Sequence, residues 1–190
     1  MKSTAFTASA LALLLTACDS SPTVDVKDAN MSEVGKAVAR SGIARDDSFQ
    51  VNPGKWESKV TVEAIEIPGM PPGLQEQMKK SFAEHQATGF TSCLTPEQAK
   101  KPKEDFFAGK DNNCRYDHFK MGDGKIDAKM RCDGGGGATQ VMEMAGSYSP
   151  EAYTMTVTTI REGGAEAGGE AKMKMRMDAK RVGACDPKAA

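Results

Sequence analysis

Histidine is nearly missing from this 190-residue chain: His85 and His118 are the only two, and neither belongs to a His-Glu-x-x-His pair that could hold a catalytic zinc. No Gly-x-Ser-x-Gly turn is present to expose a serine nucleophile. The glycine run Gly134 to Gly137 has neither a lysine nor a following helix, so it does not read as a phosphate loop. Charge of one sign is also lacking, with 25 basic against 26 acidic side chains. No basic stripe is left to attract nucleic acid, which is excluded as a partner, and no long acidic run stands out. The longest apolar run, Ala5 to Leu15, is broken by Thr7 and Ser9 and is too short to anchor in a bilayer. These absences lead us to expect neither an enzyme nor a cofactor.

What is present begins with an export signal. Met1-Lys2 supplies the charged start, the apolar run comes next, and Leu15-Thr16-Ala17-Cys18 ends it. That ending resembles the lipobox of bacterial lipoproteins. The resemblance implies cleavage after residue 17, acylation of Cys18, and a protein held by lipid on the periplasmic face of a bacterial membrane. Asp19 resembles an inner-membrane retention signal whose meaning varies between bacteria, so inner or outer membrane stays open. Cleavage removes Lys2 alone among charged residues and takes the formal charge from −1 to −2. Residues 18–51 read as the lipidated cysteine and a Ser-, Asp- and Ala-rich tether, with two turns of helix at Met31, Val34 and Val38. Residues 52–186 then form one domain, and 187–190 a tail.

The domain should be built on a β-hairpin from Cys114 to Cys132. Its turn is Gly122-Asp123-Gly124, and the two cysteines are equidistant from Asp123. Facing positions on antiparallel strands are close enough for a disulfide. This symmetry pairs Cys114 with Cys132 and leaves Cys93 for Cys185. The same register places Cys114, Tyr116, His118, Ile126, Ala128, Met130 and Cys132 on one face, and sets Asp117 opposite Lys129 on the other.

Around the hairpin the periodicities alternate. Trp56 to Ile67 reads as a strand whose pattern slips near its end, with Trp56 sealing one end of the core. Leu74, Met78 and Phe82 predict an amphipathic helix on the sheet. Thr88 to Leu94 is a strand, and Thr95-Pro96-Glu97-Gln98 is a helix start with a capping box, with Phe106-Phe107 anchoring the segment beyond it. Thr139 to Tyr148 and Ala152 to Arg161 form a second hairpin about Ser149-Pro150-Glu151. Lys172-Met173-Lys174-Met175-Arg176-Met177 is the purest period-two run, methionines inward and cations outward. The fold class is α+β: a curved, mainly antiparallel, meander-like sheet of about six strands, one or two helices packed on it, and two disulfides.

Methionine is abundant, with 12 in the chain. Met142, Met144, Met173, Met175 and Met177 stand in Met-x-Met spacing, and thioethers can select Cu(I). A periplasmic Cu(I)-binding protein is therefore the alternative reading. The leading one is a non-catalytic binding or structural module, because inward methionines make an adaptable lining for an apolar small molecule or a partner protein.

The order of Pro53-Gly54-Lys55-Trp56-Glu57, the Pro/Gly/Met turn at 68–73, Cys93-Leu94-Thr95-Pro96-Glu97, Cys114 with Cys132, Gly146-Ser147-Tyr148 and Arg181-Val182-Gly183-Ala184-Cys185 resembles the domain of unknown function 3617 family of exported proteobacterial proteins. The resemblance spans about residues 52–185. It implies a small periplasmic or lipid-anchored domain with two disulfides, and no activity.

Overall fold

The computed structural model describes residues 22–43, 51–86, 89–100, 113–163 and 170–185. The signal segment, Cys18, Asp19, Phe106-Phe107 and the tail lie outside them. The described strands number eight, not about six, and form one antiparallel sheet in the order β1-β4-β5-β6-β7-β8-β2-β3. They are β1 (Val24–Asn30), β2 (Gly54–Glu66), β3 (Phe90–Leu94), β4 (Cys114–Gly122), β5 (Lys125–Asp133), β6 (Ala138–Tyr148), β7 (Ala152–Gly163) and β8 (Ala171–Gly183). The helices are α1 (Met31–Ser41), α2 (Pro72–Gln86) and α3 (Pro96–Lys100). From β4 to β8 the chain is a plain meander, and β2 returns to pair with β8.

Two of the extra elements come from the stretch expected to be a tether. Val24–Asn30 pairs with β4, and Met31–Ser41 is a full helix. The local reason is a capping box: Asn30 accepts from the Glu33 amide at 2.9 Å, and the Glu33 carboxylate accepts from the Asn30 amide at 2.7 Å. Gly42, at φ 81°, ends the helix in the left-handed conformation. Val34 and Val38, one turn apart, are buried with Phe119, Met121 and Ile126, so α1 lies on the inner face of β1, β4 and β5.

The Cys114–Cys132 hairpin differs from the symmetric expectation in one respect that matters. Its turn has two residues, Asp123 at φ 49° and Gly124 at φ 67°, so Gly122 pairs with Lys125. Both left-handed centres suit the type I′ turn that Asp-Gly favours. A shift between Tyr116 and His118 makes Asp117 a bulge, and Cys114 still meets Cys132. Beyond the bulge the faces exchange. Phe119 and Met121 point inward, while His118 leaves the apolar face and pairs with Asp127 on the outer one. Asp117 accepts from Arg131, not from a facing Lys129.

At the other end of the sheet β2 carries a second irregularity between Val62 and Ala64, where the alternation slips. Gly54 sits at φ 146°, and a Cβ there would run into the Gly183 carbonyl, so the Pro53-Gly54-Lys55-Trp56 start requires glycine where β2 crosses the end of β8. Trp56 is 4% exposed and donates its indole N–H to the Asn52 carbonyl at 3.0 Å. Helix α2 packs against β2, and its Gln75 amide donates to the Ile67 and Met70 carbonyls. The expected apolar stripe is only partly used: Leu74 and Phe82 stay exposed and Met78 is half-buried. At α3 the capping box forms as read, Thr95 and Gln98 bonding each other's amides at 3.0 and 3.2 Å.

Candidate functional site: the methionine face of the sheet

Uniform registers across β5 to β8 fix which side chains share a face. Met130 faces Met142; Met142, Thr159 and Met173 form one inner row; Met144, Val157 and Met175 the next; Gly146, Met155 and Met177 the third. Val60, Val62 and Ile65 of β2 continue these rows. The sheet therefore gathers all five methionines of the Met-x-Met runs on one face. It also separates them. Met142 and Met144 on β6 stand two strands from Met173, Met175 and Met177 on β8, about 10 Å at the usual strand spacing. Between them β7 presents Met155, which pairs directly with Met177 and which the Met-x-Met pattern does not include. The sequence signal for Met155 is its alternation with Tyr153 and Val157.

This face is half-buried. Met142, Met144, Met155, Val157, Met173, Met175 and Met177 all keep part of their surface exposed, in contrast to Val34 at 0% and Phe119 at 1% under α1. One end is aromatic: Tyr148 pairs with Tyr153, the Tyr153 ring lies 6.1 Å from Trp56, and its hydroxyl donates to the Met177 sulfur at 3.5 Å. At the opposite end Gln140 pairs with Arg161 on the same inner face.

The outer face has a different chemistry. Neighbouring strands pair their polar side chains: His118 with Asp127 at 2.7 Å, Lys129 with Glu143 at 2.8 Å and Lys174 with Glu63 at 2.8 Å, while Arg176 pairs with Asp178 along β8 at 2.8 Å. The Arg176 guanidinium, helped by the Thr154 hydroxyl, holds the Asp178 carboxyl below the usual carboxylate range. The Asn52 amide and then Arg181 do the same for Glu151. Burial pushes the Tyr116 phenol up. A cavity of about 230 Å³ lies among His118, Lys129, Glu143 and Thr158, and one of about 550 Å³ among Arg115, Asp117, Arg131, Asp133 and Thr139; neither reaches β8. Their walls mix both signs of charge, largely paired within the protein.

The cysteines are placed in two couples. Cys114 and Cys132 have Cα atoms 4.0 Å apart, Cys93 and Cys185 5.5 Å, each pair at disulfide distance. The first staples the hairpin beneath α1; the second ties edge strand β3 to the chain just past β8. Among the described residues no group of three or more His, Cys, Asp or Glu could hold a metal ion, and no helix is long and apolar enough to cross a membrane.

Comparison with known proteins gives one match: residues 51–185 fit the family described as Protein of unknown function (DUF3617). No curated protein and no solved structure matches. The chain belongs to the DUF3617 family, and β1 and α1 lie ahead of the matched region.

Proposed function

We propose that this DUF3617 protein is a lipid-anchored, non-catalytic binding module on the periplasmic face of a bacterial membrane, and that it takes an apolar small molecule on the inner face of β6, β7 and β8. One observation carries the reading. Six methionines, Met142, Met144, Met155, Met173, Met175 and Met177, share a face that is left half-buried; Met142, Met144 and Met155 border the closed core under α1, and Met173, Met175 and Met177 lie beyond it. Unbranched thioether side chains adapt their shape to what lies on them, and a few hundred Å² of contiguous exposed apolar surface is characteristic of a binding surface. The anchor rests on Leu15-Thr16-Ala17-Cys18 at the end of a short apolar run.

Native mass spectrometry of protein purified from its own periplasmic membrane tests both parts. The expected mass lacks residues 1–17, carries acyl groups on Cys18, and shows a further adduct that apolar solvent removes. A free Cys18 thiol or a retained Met1 would remove the anchor from the proposal. A mass equal to lipidated polypeptide alone would remove the ligand.

A further inference from the structure

The half-buried face is not apolar throughout. Arg161 stands on it at the end of β7, exposed, between Gln140 of β6 and Ala171 of β8. Among the described residues its guanidinium has no carboxylate partner and no side-chain hydrogen bond. On the outer face of β5 and β8, Lys129, Arg131, Lys174 and Arg176 each have a carboxylate within 4.0 Å, while Lys172 near the start of β8 has none among the described residues. The inner-face cation is thus left with its planar guanidinium fork open, beside Thr159 and the row of Met142 and Met173. That fork matches a carboxylate in two-point geometry.

We infer that the ligand is a single-chain anionic amphiphile, a long-chain carboxylate, whose head group sits on Arg161 and whose chain runs along Met173, Met175, Met155 and Met177 toward Tyr153. The inference rests on the binding face proposed above and adds the ligand's class and direction. Length agrees with it. The eight residue steps from Arg161 to Tyr153 cover about 26 Å at the rise of an extended strand, the scale of an extended fatty acid. Width agrees as well. The strip from β6 to β8 is three strands across, with α1 packed on β1 and β4 to one side and α2 on β2 to the other. A strip bounded in this way suits one chain and not the plane of a bilayer. At its far end Tyr153 leans on the buried Trp56, so the chain terminus meets an aromatic stop.

The test uses the chain from Asp19 onward, which carries the whole described sheet, and follows the single tryptophan, Trp56. Palmitate below its micelle concentration and uncharged methyl palmitate are titrated against the native sequence, Arg161→Gln, Arg161→Lys and Met175→Asp, each checked by circular dichroism. Palmitate should bind saturably and more tightly than the ester. Arg161→Gln should weaken palmitate about tenfold, the scale of one charge-assisted hydrogen bond, and leave the ester unchanged, while Arg161→Lys recovers part of the loss. Met175→Asp should weaken both ligands. Equal palmitate binding by the native protein and Arg161→Gln overturns the head-group assignment but leaves the apolar face standing. Failure of both ligands to bind the native protein overturns the binding face itself. Binding to anionic vesicles without binding to monomeric palmitate overturns the single-chain ligand.

Discussion

Under α1 the inner sheet face presents Phe119, Met121, Ile126 and Ala128, closed to solvent and packed on Val34 and Val38; a few strands further, on β7 and β8, the same face presents Met155, Met173, Met175 and Met177, half open. Backbone pairing is continuous across both regions, so strand geometry cannot account for the difference. The side chains do. The first region sets Met121 and Met130 among aromatic and β-branched residues, Phe119, Ile126, Val34 and Val38, whose rotamers are few and suit one fixed partner, the helix. The second uses flexible thioethers, which fill space against changing partners. One half of the face is specified for folding, and the other is where the proposed ligand would lie.

That contrast can be tested by breaking it. The largest effect should come from the staples at its two borders. Removing Cys93 and Cys185 together, which opens a 92-residue separation, should cost about 4.5 kcal/mol in the chain-entropy account; removing Cys114 and Cys132, separated by 18, about 3. Urea unfolding of the two double serine variants checks the order, and an equal or reversed loss would show that the β3 border is held by other means. Peptide mapping without reductant should recover the same two pairs. A Cys93–Cys114 peptide would break the hairpin register.

Next in size, Phe119→Ala should cost about 4 kcal/mol, because it empties a closed core. Met175→Ala should cost less, about 1 to 2 kcal/mol, since part of that side chain is already exposed. If both cost the same, the two halves are one core. Copper sharpens the comparison from another side. We expect Cu(I) titration against a chelator to show weak binding or none, because β7 divides Met142 and Met144 from Met173, Met175 and Met177. Tight stoichiometric uptake lost in the triple leucine variant of residues 173, 175 and 177 would make the open half a metal site. The smallest effect is acid sensitivity at two paired carboxylates, one on the outer face and one in the turn between β6 and β7. Asp178 and Glu151 have folded-state pKa values depressed below their unfolded ones. Their contribution is therefore fully present above the ordinary carboxylate range and is lost as pH falls through the depressed values. Arg176→Gln should raise the Asp178 pKa measured by NMR; an unchanged value would show that the pair is not formed in solution.

Much of this architecture is legible in the residues. Strict alternation from Lys172 to Met177 describes β8 and its two faces, and the Cys114, Asp123, Cys132 spacing brings the correct strands together. Parity is not legible. A two-residue turn and a bulge at Asp117 cancel in the distance between the cysteines, so symmetry about Asp123 puts His118 on the apolar face although the cysteines meet. No periodicity argument registers two errors that compensate. The first strand escapes for a different reason. Val24 to Asn30 is short and more than half polar, and it becomes a strand only because β4 offers it an edge. Its neighbour α1 does leave a readable mark, since Asn30 and Glu33 stand at capping-box spacing. The alternation of Tyr153, Met155 and Val157 marks the face of Met155, whereas Arg161 carries no motif and only the register of three strands reveals where it stands.

The same β1 sets a social limit on the molecule. An open sheet ends in two rows of unpaired amides and carbonyls, onto which a second copy of the chain can add its own edge. Asp28, at φ 50°, drops out of the ladder between Lys27 and Ala29, and Asp25, Lys27 and Asp28 stand along that border with their charges at least partly exposed. The border at β3 is only five residues long. A second copy thus finds one rim interrupted and charged and the other too short to extend, which keeps the two sheets separate.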